Sequence, residues 1–153
     1  MTASDEMMTR VRARTDRAVA RAGLSDHMTF DDVVRAVEGA LDMRLRIIAE
    51  SDTAGWGTLT GFLTYFADRR EGRIHVRAAD PLLYRQFAAS HELGHLLDDA
   101  HCSGVPVERS SIPPFDNPAL TTPACETELV AEHVAHRIAG ILYAGPRVAE
   151  SSW

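Results

Sequence analysis

Residues 87–99 read FAASHELGHLLDD, and within them His91-Glu92-Leu93-Gly94-His95 spells H-E-x-x-H. On an α-helix, residues four apart lie one turn above each other on the same face. His91 and His95 can therefore offer two imidazole nitrogens to one cation, and zinc accepts such donors readily. Glu92 stands beside the first of them, where its carboxylate can take a proton from a water activated at the ion. The competing reading is an amphipathic helix whose histidines pair with nearby acids such as Asp98 and Asp99.

The context expected of the motif is present on both sides. Asp80-Pro81 opens the helix with an aspartate cap and a proline in its first turn, and the helix is predicted over 80–100. Before it come three stretches with strand character. Met43, Leu45, Ile47 and Ala49 alternate with polar neighbours, residues 58–67 are β-branched and aromatic, and Ile74, Val76 and Ala78 alternate with Arg73, His75 and Arg77. Three such runs in succession predict an antiparallel meander over 43–78. Two helices precede them. One covers 4–23, with Ser4 as its cap, Met7, Met8, Val11, Ala18 and Val19 on one stripe, and Gly23 at its end. The other starts at Thr29 with a capping box to Asp32 and runs to about Asp42, burying Phe30, Val33, Val34, Val37 and Leu41. After the motif helix, residues 102–122 carry Pro106, Pro113, Pro114 and Pro118 and no period, which predicts a long loop. A last helix follows over 122–143. These elements make one α+β domain spanning 1–153.

Bulk composition narrows the function. The chain has 153 residues, a formal charge of −6 and no lysine, all 16 basic residues being arginine. Lysine-based covalent chemistry is thereby excluded. The acidic balance argues against direct nucleic-acid binding, and the two N-terminal helices do not form a DNA-reading module. The N-terminus lacks the apolar segment of a secretory signal, and no stretch has the length and apolarity of a membrane span. Two cysteines, Cys102 and Cys125, are too few for a disulfide scaffold, so a cytoplasmic location is expected.

Two histidines do not complete a zinc site, and the third ligand defines the class. His101 has the H-E-x-x-H-x5-H spacing of a metzincin. That pattern needs glycine where this chain has Asp98, and a methionine turn downstream where the last methionine is Met43. The other source is the final helix, which carries Glu126, Glu128 and Glu132. Glu126 points roughly opposite to the other two. Glu128 shares a face with the small residues Ala131 and Ala135, and spacing ranks it nearly level with Glu132.

The segment YRQFAASHELGHLL, followed by E-x-x-A-x-x-V-A in ETELVAEHVA, resembles the ImmA/IrrE family of metallopeptidases over residues 43–140. The chain departs from that pattern at Ser90 for alanine, Glu132 for asparagine and Val134 for phenylalanine. The resemblance implies a reduced zincin fold, with a small three-stranded antiparallel sheet, the motif helix beneath it and the glutamate helix alongside. It implies one Zn2+ per chain on His91, His95 and Glu128, with Glu92 as the catalytic glutamate. It further implies a regulatory endopeptidase acting on a protein substrate, typically a helix-turn-helix repressor. In such folds the edge strand before the motif helix receives substrate, and Arg73–Ala78 is expected in that place. Tyr84 and His136, each two turns from a ligand, are candidates to stabilise an oxyanion. Two rival readings are a metal-binding sensor or interaction module, closed by His101 as fourth ligand, and a toxin-type protease with broad targets.

Overall fold

The computed structural model describes residues 2–98 and 122–144. In chain order it has helix α1 (Ala3–Ala22), helix α2 (Phe30–Leu41), strand β1 (Arg44–Glu50), strand β2 (Gly61–Phe66), a 3-10 turn (Ala67–Arg69), strand β3 (Glu71–Arg77), helix α3 (Leu82–Leu97) and helix α4 (Thr122–Tyr143). The architecture is α+β. Among the described residues no helix is long and apolar enough to cross a membrane.

Local chemistry explains most element ends. Thr29 and Asp32 form the expected reciprocal capping box on α2. On α1 the cap is Thr2, boxed with Asp5, rather than Ser4, which lies inside the helix. Gly23 ends α1 with φ +65°, a left-handed conformation that glycine adopts without steric cost. The start of α3 differs from expectation. Its cap is Pro81, with no side-chain cap bond, so Asp80 does not cap it. Regular helix ends at Leu97, where Asp98 turns extended, short of the predicted end at Ala100.

The sheet corrects the predicted meander. Its order is β1-β3-β2, with β1 parallel to β3 and β2 antiparallel to β3. The sheet is therefore mixed, not antiparallel. The turn at 67–69 makes β2 and β3 a tight hairpin, while residues 51–60 carry the chain from β1 past the place that β3 fills. Alternation sets which face a side chain takes, and every strand order satisfies it equally. β3 is the most buried strand, and Arg73–Ala78 is accordingly not an edge. The sheet's edges are β1 and β2.

One face of the sheet meets the helices. Leu45, Leu63, Ile74 and Val76 join Val11 and Ala18 of α1, Phe30, Val33 and Val37 of α2, Ala88, Ala89, Leu93 and Leu97 of α3, and Val130, Val134 and Ile138 of α4 in one core. Met7, Met8, Val34 and Leu41, expected in the core, are partly buried at its margin. Helix α3 lies between β2, β3 and α4.

Helices α3 and α4 approach each other closely inside the motif. A Cβ added at Gly94 would lie 2.9 Å from Ala131 Cα, 3.0 Å from Ala131 O and 3.0 Å from Val134 Cβ. Two of those three atoms are backbone and cannot swing aside. Gly94→Ala is therefore expected to destabilise the chain by about 1–3 kcal/mol, the usual cost of overpacking. A urea midpoint unchanged from the wild type would contradict this packing.

Candidate metal centre

The spacing of the motif and the close helix crossing together assemble the site. His91 and His95 stand one turn apart on α3, their ring centroids 4.9 Å from each other. Because Gly94 and Ala131 let the backbones touch, Glu128 of α4 reaches both rings. Its Oε2 is 3.0 Å from His91 Nε2, and its Oε1 is 3.1 Å from His95 Nε2. Donor atoms of His91, His95 and Glu128 all fall within 4.8 Å of one another, so the three form a group that could hold a metal ion.

The donor set fits a first-row divalent cation. Tetrahedral zinc with bonds of 2.0–2.1 Å separates its ligand atoms by roughly 3.4 Å, close to the two imidazole–carboxylate distances found here. The His91–Glu128 contact is within hydrogen-bond distance. Burial works against the charged form of His91, but the bond to Glu128 and the charges of Glu92, Glu128 and Glu132 outweigh it and raise its pKa. Glu128 is held well below the usual carboxylate range by its bonds to His91 and His95, against the opposing effect of burial. A cation must displace the imidazole proton, so affinity should weaken as pH falls through the raised His91 value. Cobalt titrations across that range check this; pH-independent affinity would exclude His91 as a ligand.

Exposure is graded across the group. His95 is buried, His91 is largely buried, and the Glu128 side chain is 46% exposed, so the cluster is walled on one side and open on the other. Glu92 is buried beside it, only 8% exposed, and near enough for its charge to act on His91.

Glu128 and Glu132, level by spacing, are separated by geometry. Glu132 Oε2 lies 3.2 Å from His91 Nδ1, on the opposite edge of the ring from Nε2. One ion cannot sit against both edges, so Glu132 does not join Glu128 around the same point. Glu126 is turned away and pairs with Arg10 of α1 at 2.8 Å. His136 approaches Glu132 at 3.6 Å and stands edge-on to Phe87. Tyr84 is 65% exposed, and no described contact links it to the cluster. Cys125 lies half-buried in α4. His101, Cys102, Asp99 and the predicted loop before α4 lie outside the described residues.

The described partner of Asp98 is Arg14 of α1. Asp98 is fully buried and takes a two-pronged ion pair from it, with Arg14 Nε at 3.0 Å from Oδ1 and Nη2 on Oδ2. Arg14 Nη2 also donates to Thr127 Oγ1 at 3.2 Å. A single guanidinium thus ties α1 to the end of the motif helix and to the residue before Glu128. Sequence reasoning did not find this clamp, whose partners are 84 and 113 positions apart.

Comparison with protein-family models, curated proteins and solved structures gave no match to this chain.

Proposed function

We propose that this chain is a zinc-dependent endopeptidase of the kind that the ImmA/IrrE resemblance implies, acting in the cytoplasm. The observation that carries the reading is the convergence of two imidazole Nε2 atoms from one helix on both oxygens of a carboxylate from another. A buried glutamate is the next residue after the first histidine. The sequence of helices, small sheet, motif helix and glutamate helix supports a reduced zincin fold.

His91, His95 and Glu128 would hold the ion. Zinc, when bound, supplies Lewis acidity that polarises the scissile carbonyl and brings water's pKa toward neutrality. Glu92 is the general base: its carboxylate accepts a proton from water as the water oxygen bonds to the carbonyl carbon. It then returns that proton to the amine nitrogen as the C–N bond breaks. The Glu128 side chain is 46% exposed, and the substrate is assigned to that side of the cluster. Of the two sheet edges, β2 is the one packed on α3, so strand addition is assigned to Gly61–Phe66 in place of Arg73–Ala78.

The substrate class follows from the resemblance: a helix-turn-helix repressor, cut once in an extended segment, since folded helices do not add to a sheet edge. The test is incubation of the zinc-loaded chain with the product of an adjacent repressor gene, with fragments mapped by mass spectrometry. A single cut that disappears with Glu92→Gln is expected. Degradation of casein with the repressor intact would replace the dedicated regulator with a broad, toxin-type protease. Cleavage of neither would remove the endopeptidase reading.

A further inference from the structure

A neutral imidazole carries one proton on one of two nitrogens, and the partner of each nitrogen decides which. In His91, Nε2 faces Glu128 and Nδ1 faces Glu132 Oε2 at 3.2 Å. A ring that gives its Nε2 lone pair to a cation keeps its proton on Nδ1, where it needs an acceptor. Glu132 supplies one. Its other oxygen is 3.6 Å from His136 Nε2, one turn further along α4. The His136 ring in turn meets Phe87 edge-on at 5.1 Å, one turn before His91 on α3. The carboxylate thus lies between His91 of one helix and His136 of the other.

We propose that Glu132 is a positioning residue of the metal centre. It accepts the Nδ1 proton of His91 and so fixes the tautomer whose Nε2 faces Glu128 and His95. A carboxylate on that proton also makes the imidazole a more basic donor to a divalent cation. The inference rests on the metal-centre reading above, and it gives Glu132 a role distinct from that of a ligand. An ordinary surface ion pair, with Glu132 45% exposed, would change stability little and cation binding not at all.

The test compares wild type, Glu132→Gln and Glu132→Ala by Co2+ absorption titration with Zn2+ competition. Long-range proton–nitrogen NMR correlations of His91 in the zinc-loaded chain accompany it. The wild type is expected to show a protonated Nδ1 and a coordinated Nε2. Glu132→Ala is expected to lose affinity by about ten- to a hundred-fold, with the cobalt band pattern kept. Glu132→Gln, whose amide oxygen still accepts the proton, should lose less. Equal affinity in all three chains, or coordination through Nδ1, would overturn the positioning role and leave the centre standing. An affinity loss well beyond a hundred-fold, with a changed band pattern of the cobalt bound at saturation in Glu132→Ala, would make Glu132 a ligand instead. A wild-type chain that binds neither ion would overturn both readings.

Discussion

Glu92→Gln should bind zinc as the wild type does while hydrolysis falls by about 10²–10⁴-fold, the range that a general base contributes. Glutamine fills the same volume, which matters at a site only 8% exposed. Its amide cannot take up the water's proton, and the group of His91, His95 and Glu128 is untouched by the change. Metal content and peptide cleavage measured on the same preparation separate the two effects. A variant with full metal and near-native turnover would remove Glu92 from the chemistry. One that loses both would show that the side chain holds the site together instead of acting in it.

The second large effect is expected away from the cation. Arg14→Met should destabilise the chain by about 3–5 kcal/mol, the usual result of removing one partner of a buried ion pair. Asp98 is fully buried and both of its oxygens are met by the Arg14 guanidinium. Taking that charge away removes the guanidinium that meets both oxygens of a buried carboxylate, and also the bond to Thr127. Replacing both members, as in Arg14→Met with Asp98→Leu, should recover much of the loss, because no uncompensated charge then remains. Urea denaturation of the single and double variants measures this. A single variant within about 0.5 kcal/mol of the wild type, the range of an ordinary surface change, would show that the clamp contributes little.

The motif histidines were legible in sequence because helical periodicity is local: four positions along the chain is one turn, whatever the helix packs against. The capping box at Thr29 and the glycine stop at Gly23 were legible for the same reason. Spacing did not choose between Glu128 and Glu132, and only the family resemblance named Glu128. Both occupy a similar face of α4, and what separates them is the edge of the His91 ring that each meets. That depends on how α3 and α4 cross, which Gly94 and Ala131 set jointly. Strand order escaped the sequence too, because alternation in Leu45–Ala49 and Ile74–Ala78 specifies faces and leaves neighbours open. Arg14 and Asp98 belong to different helices and share no periodicity, so nothing short of their packing connects them.

The proposed cation site is the group of His91, His95 and Glu128. Elemental analysis of the purified chain, with Glu128→Ala and Glu132→Ala prepared alongside, tests it most directly. One zinc per chain in the wild type, lost in Glu128→Ala and retained at saturating zinc in Glu132→Ala, is the expected result. Zinc kept by Glu128→Ala but lost by Glu132→Ala, or no zinc in the wild type at all, would contradict it.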